Sequence, residues 1–348
     1  MQWIDRAFQV FNHNKVLSVP SQSQPDPDFK TVTFPNPEEK GALDEAMKFA
    51  DTNNITIIIA NDPDADRLAV AEKNGSKWKV FSGNEIGVIL GHWQITQAKA
   101  MQKDTSNTAL LASVVSSRML KSIAEHELVS YYDTLTGFKW LGNKAIELKE
   151  KGMEVLLAYE EALGYCLGDV VNDKDGISAA SIFVEFIGSL AEKNMTVQDY
   201  LTSLYSKYGE FVSYNSYVIC HDPIKTNSIF ERIRTGGPNN GYFQESCNRR
   251  ICRIKDVTVG YDSNSIDLKS DLPVTPDSHM LMFEFENNLN PISMILRTSG
   301  TEPKIKFYTE IKGTPGQKRE QLEETLHTFV DKVVEHLLQP TLHGLKKV

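Results

Sequence analysis

The apolar run Ile55-Thr56-Ile57-Ile58-Ile59-Ala60 has no polar face, unlike the amphipathic segments around it. It is short and β-branched, which predicts a fully buried strand of a parallel sheet. Upstream, Trp3, Ile4, Phe8 and Phe11 recur at helical spacing and predict an amphipathic helix over residues 1–12. A Pro- and Ser-rich connector over 18–37 ends in a helix start, with Asn36 as cap and Pro37 in the first turn. Glu38 and Glu39 favour the positive end of that helix, which should run to about Ala50. Residues 68–73 and 78–81 flank Asn74-Gly75 and predict a hairpin.

From about residue 83 to 193 the helical and strand patterns alternate. Helices are predicted over 84–101, 139–151 and 176–193, with another between the first two strands. The strands fall at 109–115, 128–132 and 153–159, so βαβ units on a mostly parallel sheet are expected. After residue 211 the pattern changes to strands at 211–220, 251–259, 279–286, 292–297 and 305–310, closed by a helix over 315–338. That order predicts a separate α+β domain, with Gly236-Gly237-Pro238-Asn239-Asn240-Gly241 as a loop inside it. The expected divisions are 1–80, 81–210 and 211–348.

The chemistry gathers where these elements end. The apolar run leads into Asn61-Asp62-Pro63-Asp64-Ala65-Asp66-Arg67. Ligands collect at the carboxyl ends of strands in open α/β sheets. Three carboxylates so close repel one another unless a cation neutralises them, and hard oxygen ligands suit Mg²⁺. A solvated acidic turn is the plainer alternative. The strand at 153–159 ends in Glu160 and Glu161, able to accept hydrogen bonds from the hydroxyls of a polar substrate or to serve as a cap or surface turn. Arg297-Thr298-Ser299-Gly300-Thr301-Glu302-Pro303-Lys304 combines two cations, three hydroxyls and a glycine. It reads as an anion cradle, against the alternative of a hairpin loop. Thr136-Gly137-Phe138-Lys139 and Lys174-Asp175-Gly176 pair a lysine with a glycine, and alone each reads better as a helix start.

Composition narrows the class. The 348 residues suffice for two or three domains, and 41% hydrophobic with 24% charged residues is an ordinary globular balance. A net charge of -9 argues against a nucleic-acid partner bound through a basic face, yet leaves room for a local basic pocket. Cys166, Cys220, Cys247 and Cys252 form no C-x-x-C pair and read as reduced thiols. The eight histidines show no ligand spacing. The first residues carry charges where a signal peptide needs an apolar core, and no run approaches a membrane span. A cytoplasmic protein without membrane partner is expected.

Taken in order, the aspartate loop, the T-G-F-K loop, the Glu-Glu loop and the R-T-S-G-T-E-P loop resemble those of the α-D-phosphohexomutases. The nearest likeness is to the eukaryotic phosphoglucomutase-2 branch, which includes phosphopentomutase and glucose-1,6-bisphosphate synthase. Residues 61–73, 134–143, 160–165, 174–179 and 297–306 carry it. The resemblance implies phosphohexomutase-type α/β domains with mixed sheets, followed by a C-terminal α+β domain. It also implies phosphoryl transfer between a serine and sugar monophosphates through a sugar bisphosphate. Asp62, Asp64 and Asp66 would hold Mg²⁺, and Arg67 would stabilise the phosphoryl group in transit. Glu160 and Glu161 would meet the sugar hydroxyls. Arg297, Ser299, Gly300, Thr301 and Lys304 would take the other phosphate, and Thr136, Gly137, Lys139 and Lys174 would line the cleft.

Two departures modify this expectation. Ala162 stands where many hexose mutases have serine, which removes a hydroxyl contact and opens the way to a pentose or looser substrate range. No T-A-S-H-N-P-type serine loop occurs, and none of Ser18, Ser21, Ser23, Ser116 or Ser117 precedes His-Asn-Pro. The chain therefore reads as the C-terminal part of such an enzyme, beginning within its second domain. Alone it is expected to be inactive and to self-associate through the apolar edge beside 55–60. A bisphosphate synthase and a non-catalytic sugar-phosphate binder are the alternatives.

Overall fold

The computed structural model describes residues 2–13, 16–286, 289–314 and 316–347. Met1 and Pro315, the first residues of two predicted helices, lie outside the described residues. The chain divides into two compact units, residues 1–204 and 205–348.

In the first unit, α1 (Gln2–Val10) packs on a later helix, α6 (Gly176–Ala191). Ile4 and Phe8 are buried there, whereas Trp3 and Phe11 face solvent at 70% and 62% exposure, so half of the expected apolar stripe is uncovered. α2 spans Asp44–Thr52 and begins later than the Asn36-Pro37 signal predicts. Asn36 does cap a turn, accepting from the Glu38 N–H at 3.2 Å. That turn does not propagate, because Gly41 adopts a left-handed φ of 86° before the helix starts.

β1 (Ile57–Ala60), β2 (Ala69–Asn74) and β3 (Lys77–Val80) form an antiparallel three-stranded sheet. This corrects the expectation for the apolar run. β1 is an edge strand paired antiparallel to β2, and only Ile58 in it is fully buried, against Leu43, Ala46 and Ala50 of the α2 region. A continuous β-branched run cannot distinguish a doubly covered strand from one covered by a single helix. The β2–β3 hairpin turns at Gly75-Ser76, one residue later than expected, with Asn74 paired to Lys77.

Next come α3 (Gly83–Ala100), β4 (Thr108–Ser113), α4 (Met119–Glu127), β5 (Ser130–Thr134), α5 (Phe138–Glu150), β6 (Glu154–Glu160) and β7 (Gly164–Cys166), then α6 and α7 (Val197–Tyr208). The sheet order is β5-β4-β6-β7. The first three strands are parallel and β7 folds back antiparallel, as the alternating pattern requires apart from that last short strand. β4 is buried along its whole length, and one face of the sheet packs on α5 through Leu141, Ala145 and Leu148. α3 starts in a reciprocal capping box: Ser82 Oγ accepts from Glu85 N and Glu85 Oε2 accepts from Ser82 N.

The second unit is one eight-stranded antiparallel sheet. Its strands are β8 (Phe211–Ile219), β9 (Glu245–Ser246), β10 (Arg249–Asp256), β11 (Tyr261–Asp262), β12 (Met280–Phe285), β13 (Ile292–Thr298), β14 (Lys304–Lys312) and β15 (Lys346–Lys347). The order runs β11-β10-β12-β13-β14-β8-β15, with β9 paired to β10. α8 (Pro223–Thr235) and α9 (Arg319–Leu338) supply core residues such as Phe230, Leu326 and Val333, and α10 (Pro340–His343) follows.

Candidate active site

The loop after β1 is folded by its own backbone. Asp62 Oδ1 accepts from the backbone N–H groups of Asp66 and Arg67, both at 3.1 Å, and Asp62 O accepts from Ala65 N at 3.0 Å. Ala65 lies in the left-handed region at φ 60°, a conformation that costs a non-glycine residue about 1 kcal/mol. The turn brings one carboxylate oxygen from each of Asp62, Asp64 and Asp66 within 4.8 Å of the others. Asp62 is perturbed by this environment. Burial pushes its pKa up most, the Arg67 N–H opposes this, and the charges of Asp66 and Asp64 add to it, for a value of about 6.

Two cations come to the cluster by different routes. Arg67 Nε stands 3.4 Å from Asp62 Oδ2 and 3.9 Å from Asp66 Oδ1, and Arg67 Nη1 donates to Asn36 Oδ1 at 3.4 Å. Lys174, far along the chain, places Nζ 2.6 Å from Asp66 Oδ2. Desolvation lowers the Lys174 pKa, but the hydrogen bond and charge of Asp66 outweigh it, and the net direction is upward. The loop is also tied to α6: Gly176 N donates to Ala65 O at 3.1 Å, and Asn61 Nδ2 donates to Arg67 O at 2.6 Å. A Cβ on Gly176 would lie 2.3 Å from Arg67 O, so this approach requires glycine.

The Glu160-Glu161 loop lies against the same segment. Arg67 bridges Gly164, and Leu68 N donates to Leu163 O at 3.0 Å. Leu163, like Ala65, is left-handed, at φ 62°. Glu160 Oε1 accepts from Gly137 N at 2.5 Å, and Glu161 Oε2 accepts from Ser113 Oγ at 3.3 Å. Gly137 holds φ 104° at the head of α5, so this loop does start a helix and also ties to the carboxylate. Asp175 likewise caps α6 through Ile177 N and Ser178 N while its neighbour Lys174 reaches Asp66. Thr136 is half-buried and Lys139 is exposed, with Nζ 5.6 Å from the Trp140 ring centroid. The structure thus brings Asp62, Asp64, Asp66, Arg67 and Lys174 together, and Glu160 with Gly137. It adds Asn36, Ser113 and Gly176, which the sequence does not assign to the site; the sequence points to Asn36 only as a helix cap.

In the second unit, residues 297–304 connect β13 to β14. Arg297 pairs with Lys306 across the ladder, and its guanidinium carbon stands 6.0 Å from the Tyr308 ring centroid. Ser299 N donates to Lys304 O at 2.9 Å, which closes the hairpin. Gly300 has nothing within 4 Å of a would-be Cβ and no left-handed φ, so the backbone convergence expected of it is not a conformational requirement here. Thr301 is exposed, and Lys304 Nζ lies 2.6 Å from Glu302 Oε1.

Residues 2–75 match the α/β/α domain II of phosphoglucomutase/phosphomannomutase, and residues 82–208 match domain III. The chain belongs to the phosphoglucomutase/phosphomannomutase family. It is 44% identical over 99% of its length to a phosphopentomutase of Pongo abelii and 43% identical to a glucose 1,6-bisphosphate synthase of Homo sapiens. It spans 57% and 56% of those relatives, little more than half of each. A solved structure of parafusin, a phosphoglucomutase from Paramecium, shares the fold with a TM-score of 0.64 at 16% identity, covering 96% of this chain and 56% of that one. Phosphohexomutases generally use a metal ion. The aspartate loop fits one: its three carboxylates converge, and Asp66 Oδ1 is buried without a hydrogen-bond partner among the described residues. No helix among the described residues is long and apolar enough to cross a membrane.

Proposed function

We propose that this chain carries the cation, sugar and phosphate recognition of a sugar-phosphate mutase acting on sugar monophosphates through a sugar bisphosphate. The three-aspartate cluster clasped by Arg67 and Lys174 is the observation that carries the reading, since a solvated acidic turn has no use for two clasping cations and a buried carboxylate oxygen that makes no hydrogen bond among the described residues. Asp62, Asp64 and Asp66 would hold Mg²⁺, which supplies charge neutralisation for phosphoryl transfer. Arg67 adds a second positive charge beside the same carboxylates. Glu160 keeps one oxygen on Gly137 and offers the other to a sugar hydroxyl, with Glu161 alongside. Arg297, Ser299, Gly300, Thr301 and Lys304 form the recognition loop for the second phosphate, and Thr136 and Lys139 belong to the substrate-facing loops. The division into 1–80, 81–210 and 211–348, and a cytoplasmic location, belong to this reading.

Ala162 favours a pentose phosphate or a loose sugar preference, in keeping with the phosphopentomutase name of the Pongo relative. A bisphosphate synthase is the second reading, because the two kinds of relative differ by a single percentage point of identity. The residues contain no T-A-S-H-N-P-type serine loop, so the chain alone should bind these ligands without turnover. Calorimetric titration with ribose 1-phosphate, glucose 1-phosphate and glucose 1,6-bisphosphate, with and without Mg²⁺, tests the reading. Cation-dependent binding is expected. Absence of binding by all three sugars would overturn it, and turnover by the purified chain would overturn its catalytic limit.

A further inference from the structure

We propose that Lys174 is a positioning residue for the cation site, holding Asp66 by one carboxylate oxygen so that the other faces the aspartate cluster. The inference rests on the reading of Asp62, Asp64 and Asp66 as cation ligands. Its basis is an asymmetry within one side chain. Asp66 Oδ2 takes the Lys174 ammonium at 2.6 Å, while Asp66 Oδ1 is buried, makes no hydrogen bond among the described residues and has Arg67 Nε at 3.9 Å, beyond hydrogen-bond distance. A carboxylate turns readily about its last torsion and exchanges its two oxygens unless one of them is held. The ammonium holds Oδ2, which leaves Oδ1 as the ligating atom.

Lys174 is itself fixed from both sides. Asp175 N donates to Tyr165 O at 2.9 Å, joining the segment to β7, and Gly176 N donates to Ala65 O, joining it to the aspartate loop. The lysine stem runs over Gly164, where a Cβ would come within 3.0 Å of Lys174 Cδ. The glycine that follows the Glu-Glu pair therefore lies in close contact with the side chain that orients the third aspartate. Outer partners of ligating carboxylates characteristically set metal affinity in this way. A competing role, in which the ammonium is a stand-in charge that a cation must displace, has the opposite sign. It would make the neutral Lys174 variants bind a cation more tightly.

Calorimetric titration of the 348-residue chain with MgCl₂, and with MnCl₂ as a second probe, separates these. Lys174→Met should weaken cation binding by about tenfold or more. Lys174→Arg, which keeps the charge and the donors, should recover most of the loss. Lys174→Gln serves as a second neutral variant, and unfolding in EDTA identifies any variant that is not folded. Unchanged or tighter binding by both neutral variants overturns the proposal. If Asp64→Asn also leaves binding unaltered, the cation-site reading itself fails, whereas loss in Asp64→Asn with no loss in the neutral Lys174 variants rejects the positioning role alone.

Discussion

The aspartate loop and the 297–304 loop both follow strands and both concentrate charge, yet they are built on opposite terms. The first is held by backbone hydrogen bonds to Asp62, by a left-handed Ala65 and by a glycine-dependent contact with α6. It keeps three carboxylates together at the cost of a proton-hungry Asp62. The second is exposed at its tip, residues 300–303, and the lysines at the start of β14 lean on its glutamate: Lys304 at 2.6 Å and Lys306 at 3.8 Å from Glu302. Preorganisation puts the cost of charge crowding into folding, where a cation then relieves it. An open loop instead leaves the charge reorganisation to the moment of ligand binding.

The sharpest way to break this contrast is to add one methyl group to each loop. Gly176→Ala would put a Cβ 2.3 Å from Arg67 O and 2.8 Å from Ala65 O, and it should lower stability by about 3 kcal/mol in urea titration. Gly300→Ala meets nothing within 4 Å and should fall within about 0.5 kcal/mol of the parent. Equal effects would erase the distinction. Next in size is Arg297→Ala, which removes a bidentate donor to phosphate. It should weaken sugar monophosphate binding by about 2 kcal/mol, roughly 30-fold, and an unchanged affinity removes the loop from phosphate recognition.

The pH dependence should distinguish the loops again. Asp62 titrates at about 6 without a cation, so below that pH a cation must displace a proton. Cation affinity should fall by up to about tenfold per pH unit below 6 and level off above it. In EDTA the sign for folding is the reverse. The folded state keeps a proton that the unfolded chain releases near its ordinary 3.8, so the Asp62 contribution to stability declines as pH rises from 3.8 to about 6. Comparison with Asp62→Asn in urea titrations at both ends of that window isolates it, and a contribution that rises with pH contradicts the crowding argument. The smallest effect is expected of Glu302→Gln. Releasing Lys304 and Lys306 should raise phosphate affinity about twofold at low salt and vanish at high salt.

Local spacing carried much of the architecture. The helices from Gly83, Phe138 and Gly176 and the five long strands of the second unit lie within a few residues of their expected positions, whereas the two-residue strands β9, β11 and β15 have no expected counterpart. Two helices that the apolar spacing does not predict nevertheless have start signals in the sequence. Thr196 and Asp199 cap one another reciprocally at α7, and Asp222-Pro223 opens α8 with a cap and a first-turn proline. The β1 error is of another kind, because no periodicity within Ile57–Ala60 records which strand pairs with it or in which direction.

Residue types and their order determined what this chain can do chemically: a carboxylate triplet, a Glu-Glu pair and an Arg-Ser-Gly-Thr loop, each at a strand end. Tertiary structure alone decided how those groups are used. The Lys174 ammonium reaches Asp66, Glu160 spends an oxygen on Gly137, and Glu302 pairs with Lys304 and Lys306. Such pairings follow from strand order, the close approach of backbones at Gly176 and the Arg67–Gly164 bridge, which are set by the packing of whole elements and leave no trace in local periodicity.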